Sequence, residues 1–471
     1  MTTADTVRPE DEKLGWLPSL GYGVQHILAM FGGVIAVPLI IGGAAGLSGA
    51  EKGLLVSCAL LISGLATLLQ TLGVPYFGAQ LPLVQGISFA SVSTLLTIVL
   101  GKGGGHAGMQ AAFGAILIAG LIGLVIAPFF SMVVKLFPPV VTGSIITIIG
   151  LSLMPVAAGW ITGQATVNGK PNADFANTGD ILLAGFTLLV ILVLMKIAVL
   201  SRTAILLGLV IGTIAAFIVG KGSTDSVKGT SAFAFPSLFH FGAPTFQVGA
   251  IVSMTVVILV IMVETTADII AVGEVVGTKV DSKRVANGLR ADMISTTVAP
   301  VFNSFPATAF AQNVGLVAIS GIKSRFAVAI GGGVLVLLGL SPFLAGVVNM
   351  IPQPVLGGAG IVLFGTVAAS GIRSLSKVDY QGNNNLVIVA TSLGFGLIPV
   401  VSSGFFENFP SWVDTIFGSG ISACAIMAVL LNLFFNWLQP GEPEDPSGLA
   451  AAPALQVTDE DIDTLERGGT L

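Results

Sequence analysis

Apolar runs of about 20 residues, the length a helix needs to cross a bilayer, recur from position 17 to position 438 with only short polar connections between them. The candidate spans are 17–41, 53–72, 84–100, 109–130, 139–158, 180–199, 203–220, 248–272, 285–300, 304–321, 326–346, 353–370, 384–400 and 412–438. Charged residues make up 9% of the chain, against roughly 25% in a soluble domain. So few charges cannot wet a soluble surface of this size, and lipid must be the solvent. The fold class expected is an all-α polytopic membrane protein with fourteen transmembrane segments. The 61 glycines fit close helix approach and broken helices.

The polar start of the chain, with Asp5, Glu10, Asp11 and Glu12, does not read as a signal peptide, so the first apolar segment is expected to be a retained span. Cys58 and Cys424 lie in apolar segments without metal-ligand spacing, so no metal or cofactor is expected. The net charge of −5 owes much to the acidic stretch after Pro440 and implies no nucleic-acid partner. Lysine and arginine set the orientation. With both termini cytoplasmic, Lys52, Lys102, Lys170, Lys221 and Lys228 face outside and the other fourteen of the 19 basic residues face inside. The connections 161–179 and 221–244 are short polar excursions, not domains.

The two halves are related. "PVVTGSIITIIG" opens at Pro139 and "PVLGGAGIVLFG" at Pro354, with Pro139, Val140, Gly143, Ile146 and Gly150 matching Pro354, Val355, Gly358, Ile361 and Gly365. The match pairs span 5 with span 12. An offset of seven spans inverts the second copy relative to the first, which is the plan of many secondary transporters.

Ionisable groups inside spans are costly and therefore informative. Glu264 and Asp268 share one face of a helix at i, i+4, Asp292 lies in the short ninth span, and His26 lies in the first. These four groups can bind substrate or carry protons. Spans 3 and 10 are interrupted. "LPLVQGISFASV" and "SFPATAFAQNVGLVAISG" each begin extended and then turn helical, because a residue before proline avoids the helical region. Each is expected to be a short strand plus a half-helix, led by Ser88 in one and by Gln312 and Asn313 in the other. A helix start at mid-membrane exposes unpaired N–H groups and is tolerated only where it lines a cavity or is buried in protein. Gln312 with donors and an acceptor, Glu264 as acceptor and Phe89 as a stacking face suit a flat, amide-rich ligand. A charged anion calls for arginine or lysine at the pocket, and none is read there.

Together these residues resemble the nucleobase–ascorbate transporter family (nucleobase:cation symporter-2) over essentially the whole chain. Gln312-Asn313-Val314-Gly315 through Ser320-Gly321 resembles its signature, with Ser320 where threonine is usual. "GVQHILAMFGG" resembles its first-span motif (His26), "QGISFA" the third-span motif (Ser88, Phe89), "VETTADIIAVGE" the eighth (Glu264, Asp268) and "ADMISTTVAPVFNSFP" the ninth (Asp292). The resemblance implies a seven-plus-seven inverted repeat. Spans 1–4 (14–130) and 8–11 (247–346) would form a core domain, and spans 5–7 (131–220) and 12–14 (347–438) a gate domain. Residues 1–13 would be a cytoplasmic tail, and 439–471 a disordered cytoplasmic tail. It further implies a homodimer in a bacterial inner membrane and proton-coupled uptake of a purine, with protons preferred over Na⁺. Glutamine at 312 resembles the xanthine and uric acid carriers, whereas uracil carriers have glutamate. Glu264, Gln312, Phe89, Ser88, Gly315 and Asn313 would bind substrate, while His26, Asp268 and Asp292 would couple protons. No enzymatic role is expected, since no nucleophile–base pair or metal cluster is present. The rival reading is an anion transporter of the same fold, of the sulfate or bicarbonate type. A passive channel or a sensor would fail to accumulate substrate uphill.

Overall fold

The computed structural model describes residues 8–437 apart from 164–165, 168–169, 173, 198–199, 225–226, 228–230, 382–383, 403 and 407. Positions 439–471 lie outside the described residues. The described chain is mostly helical. Nine of its helices are long and apolar enough to cross a membrane, or ten if Arg325–Gly339 and Pro342–Val348 count as one span bent by 88°. The bend has a local cause. Pro342 cannot extend the preceding helix, and the Ser341 hydroxyl caps the new one by accepting from the Leu344 N–H at 3.5 Å. The other candidate spans fall short for physical reasons. Phe89–Leu100 and Ala204–Ile218 are apolar but short. Ser282–Val298 carries Lys283, Arg284, Arg290 and Asp292 on a single helix. Segment 304–321 divides into the strand Ala307–Ala309 and the helix Ala311–Ser320.

The helices pack in two groups. Arg325–Gly339 packs on both Trp16–Ala44 and Gly49–Leu72, and Val248–Val276 packs on Gly105–Ile126, which also meets Ser282–Val298. In the second group Gln353–Leu375 packs on Pro139–Ser152, Met154–Thr162 and Thr178–Lys196, and Asn384–Val401 packs on Gly420–Asn432. The two related sequence segments therefore touch. Gly143 lies against Leu375 and Gly150 against Phe364 and Ala368, so the helices run antiparallel. At Gly150 the approach is backbone to backbone, and a Cβ would overlap the Ala368 amide. Both helices begin directly after a proline cap, Pro138 and Pro352.

Residues 8–12 are held against the ends of the first group. Glu10 is fully buried, and its Oε1 accepts from Arg284 Nη2 at 2.6 Å and from the Thr278 hydroxyl at 3.2 Å. Arg284 also donates to the carbonyls of Ala79 at 2.6 Å and Gln80 at 2.9 Å. Next to it, Asp11 accepts from Arg325 Nε at 2.6 Å, and Arg325 donates to the last carbonyls of the second helix, Thr71 and Leu72, each at 2.8 Å. The Ser324 hydroxyl donates to the Glu12 carbonyl at 2.6 Å. Two acidic residues thus tie together the ends of three helices and the connection before span 3.

Two outcomes follow for this clasp. Arg284→Ala leaves the buried Glu10 carboxylate with only the longer Arg8 contact at 3.8 Å and should cost about 3 kcal/mol, seen as a lower midpoint when the detergent-solubilised protein is heated. For Asp11, burial works to raise the pKa, but hydrogen bonds from Arg8 and Arg325 outweigh it and hold the carboxyl lower than usual. A folded-state pKa below the unfolded one gives stability that is complete above about pH 4 and is lost as the pH falls further. Asp11→Asn should remove that part of the acid sensitivity, as read from midpoints on an acid series.

Candidate functional site

The site is organised by a two-stranded sheet made from the two interrupted segments. Gln85–Ile87 pairs antiparallel with Ala307–Ala309, placing Gln85 opposite Ala309, Gly86 opposite Thr308 and Ile87 opposite Ala307. The ladder continues outward, with Ser88 N–H donating to the Pro306 carbonyl at 2.9 Å and Phe310 N–H to the Val84 carbonyl at 3.2 Å. Glycine is required at 86, because a Cβ there would overlap the Phe310 ring. After the strands the chain turns helical, through the 3₁₀ turn Phe89–Ser91 into Val92–Leu100 and through Phe310 into Ala311–Ser320.

A two-stranded sheet has two outer edges, and inside a membrane protein their N–H groups need partners. Threonine hydroxyls supply three. Thr67 accepts from Gln85 N–H at 2.9 Å, Thr296 from Ala307 N–H at 3.1 Å and Thr265 from Ala309 N–H at 3.4 Å. Thr67 and Thr296 each sit on the helix immediately before their own interrupted segment, in keeping with the internal repeat. Sequence reasoning missed all three. A threonine in an apolar helix ordinarily bonds its own preceding turn, as Thr67 also does by donating to the Ser63 carbonyl at 2.7 Å, so the sequence carries no separate signal.

Asp292 is joined to this sheet through Thr265, and Glu264 and Asp268 lie on the helix that packs against its second strand. Glu264 and Asp268 are partly buried, one turn apart on Val248–Val276. Asp292 is 1% exposed, and its Oδ2 accepts from the Thr265 hydroxyl at 2.6 Å. Its Oδ1 has no partner among the described residues. Thr265 therefore joins Asp292 to the strand, since its proton goes to the carboxylate and its oxygen receives the Ala309 amide. Asp268 lies within electrostatic range of both Glu264 and Asp292. No group of three or more metal-ligating side chains among the described residues could hold a metal ion.

On the other side of the sheet, His26 is buried at 4% exposure with Asn313 as its polar neighbour. The Asn313 side-chain amide donates to the Pro82 carbonyl at 2.7 Å, so it brackets the two interrupted segments together. Ser88 is fully buried and caps its own turn, its hydroxyl accepting from Ala90 N–H at 3.2 Å. Gly315 is exposed in the second turn of its helix and faces open space. The side chain of Gln312 lies outside the described residues, although its backbone stands in the first turn of Ala311–Ser320. The amides of Phe89 and Ala311 are the first of their helices, and neither has an acceptor among the described residues. These two amides lead their helices as open donors, whereas the Ser88 amide is taken by the sheet.

Phe89 is partly buried and meets Phe364 edge to face, with ring centroids 5.9 Å apart. Phe364 in turn lies 6.3 Å from Trp160. Gly33 makes room for both Phe89 and Phe310. Phe364 belongs to the opposite helix group, and only the tertiary packing brings it here. The arrangement can grip a planar molecule. It has one aromatic face, two helix-start amides that attract carbonyl oxygens, and a carboxylate that accepts N–H bonds. The two cysteines, expected to be inert, are free and buried.

Residues 18–405 match the Permease family described as Xan_ur_permease. The chain is 39% identical over 425 residues to a xanthine permease of Bacillus subtilis (strain 168), covering 90% of this chain and 94% of that protein. It is 40% identical to the uric acid permease PucK of the same organism, over 90% of this chain and 96% of that one. Against the uric acid transporter UacT of Escherichia coli (strain K12) it is 39% identical, over 88% of this chain and 86% of that one. Among solved structures, the transmembrane domain of the cyanobacterial bicarbonate transporter BicA superposes with a TM-score of 0.63 at 16% identity, covering 89% of this chain and 100% of that one. The murine anion transporter Slc26a9 in its inward-facing state superposes with a TM-score of 0.60 at 14% identity, over 90% of this chain and 70% of that one. At such identities the likeness concerns the fold alone. The chain is thus a multi-pass membrane permease rather than an enzyme, and it belongs to the nucleobase:cation symporter-2 family that its sequence motifs resembled.

Proposed function

We propose that the protein imports an oxidised purine, xanthine or uric acid, together with protons. What supports this reading is that two helix starts, at Phe89 and Ala311, pack against the helix that carries Glu264, in a chain whose full-length relatives are named xanthine and uric acid permeases. In this reading Glu264 accepts two lactam N–H bonds and Phe89 stacks on the ring. The Phe89 and Ala311 amides hold ring carbonyls, with Gln312 completing the edge. Ser88 and Asn313 act as positioning residues, because their polar groups already hold the surrounding backbone. Gly315 leaves the space that a side chain would fill.

Proton coupling belongs to His26, Glu264, Asp268 and Asp292. Asp292 is the group best connected to the backbone. While ionised it draws the Thr265 proton, leaving the threonine oxygen to hold the Ala309 amide, and protonation removes that pull. Charge at Asp292 is thereby linked to the position of the strand that leads to the Ala311 helix start. The architecture proposed is fourteen segments in a seven-plus-seven inverted repeat. The ten spans, with the bent pair counted as one, are completed by 84–100, 203–220, 285–300 and 304–321, and the core and gate bodies correspond to the two packed helix groups. A homodimer in a bacterial inner membrane with both termini cytoplasmic completes it. The anion-carrier alternative shares the fold, but no lysine or arginine belongs to the set of site residues.

Radiolabelled xanthine and uric acid, offered to cells lacking their own carriers, should show at least one of them accumulating uphill. Accumulation should collapse with a protonophore and be lost in Glu264→Gln at equal membrane abundance. If neither purine enters, the purine reading is wrong. Thr265→Val should lower uptake by about tenfold or more, the size of one lost hydrogen bond to a charged group, while Thr265→Ser retains it. Equal loss in both variants would mean that the hydroxyl is not what matters.

A further inference from the structure

A cavity of about 260 Å³ lies on the seam between the two helix groups, apart from the site above. It falls just below the roughly 300–1,000 Å³ usual for small-molecule pockets. Leu39 and Lys52 line it from the first helix group, and Trp160, Gln353 and Leu356 from the second, together with Lys221. Leu39 stands six residues along the helix from Gly33, which touches Phe89, a rise of about 9 Å. Trp160 is separated from Phe89 by the single ring of Phe364. The cavity therefore lies one step from the purine site, walled by both bodies.

Its charge is specific. Lys221 is matched by Asp180 at 2.6 Å. Glu51, beside Lys52 in sequence, is turned to Ser48 and His106. Lys52 itself has no carboxylate within ion-pair distance among the described residues. One uncompensated ammonium thus shares a small cavity with an indole and with the amide of Gln353. That combination fits a planar anion bearing carbonyl oxygens.

We propose that this cavity is an outer reception site for the anionic form of the purine, with Lys52 as its charge partner and the Trp160 indole as its flat wall. The proposal rests on the purine reading and on the orientation that puts the connection around 42–52 outside. Uric acid is an anion at neutral pH, whereas xanthine in mildly acidic medium is neutral, so the two substrates separate charge recognition from shape. The central site offers no lysine or arginine, and a cation at the mouth gathers the anion without holding it where it must be released.

The test is uptake kinetics at mildly acidic pH in cells lacking their own carriers, with membrane abundance measured alongside. Lys52→Gln should raise the KM for uric acid by about tenfold with its maximal rate kept, the size of one lost charge-assisted contact. Lys52→Arg should restore it, and the KM for xanthine should not move. Without any variant, raising ionic strength should raise the wild-type KM for uric acid but not for xanthine. An unchanged uric acid KM in Lys52→Gln, or equal shifts for both substrates, overturns the reception site while wild-type uptake leaves the purine reading standing. Failure of the wild type to carry either purine overturns the purine reading first, and the reception site with it.

Discussion

A backbone that leaves helical geometry inside an apolar slab must find partners for its N–H and C=O groups, and the architecture of the site follows from how that demand is met. Two interrupted segments meet it by pairing with each other across three residues. Three of the amides that face away from the ladder, those of Gln85, Ala307 and Ala309, are then taken by Thr67, Thr296 and Thr265. Because the segments satisfy one another, both half-helices must begin at the same place. The consequence is a pair of open amides, at Phe89 and Ala311, with an acidic helix beside them. Without the sheet there is no reason for these groups to meet.

The titratable groups are attached to this sheet rather than scattered around it. Asp292 reaches the second strand through Thr265. His26 neighbours Asn313, whose amide holds the Pro82 carbonyl ahead of the first strand. In the proposed mechanism, a change of protonation at either group alters a hydrogen bond to the backbone that positions a helix start. Coupling then needs no long pathway, because proton site and substrate site share the same few peptide bonds.

The likeness to BicA and Slc26a9 separates fold from function. A permease family with xanthine and uric acid carriers among its members can use the scaffold that a bicarbonate transporter uses, because the scaffold supplies only paired strands and facing helix starts. What those starts attract is decided by side chains. In the proposed reading the ionisable partners are carboxylates and a histidine and the face is aromatic, which suits a neutral lactam better than a small inorganic anion. The basic residue Lys52 lies farther along the seam, in a cavity of its own.

Much of this protein was legible in the sequence. Hydropathy alone required a membrane bundle, since 9% charge cannot hydrate such a chain. The cost of burying carboxylates made Glu264, Asp268 and Asp292 conspicuous, and Phe305-Pro306 with Gln85-Gly86 marked where helices must break. Other features were not legible because they depend on contacts between residues far apart in the chain. The threonine clamps look like ordinary helix threonines until the strand lies beside them. Phe364 joins Phe89 only because two helix groups close on one another. Glu10 reads as part of a polar tail until Arg284 and Arg325 draw its segment onto the bundle. Which amide stays open was also beyond sequence. Ser88 was expected to lead its half-helix, and the sheet takes its N–H while that of Phe89 stays open. Sequence determined which groups are too costly to bury without purpose, and tertiary structure decided which of them remain unpaired, because a hydrogen bond is satisfied or open only once its neighbour is in place.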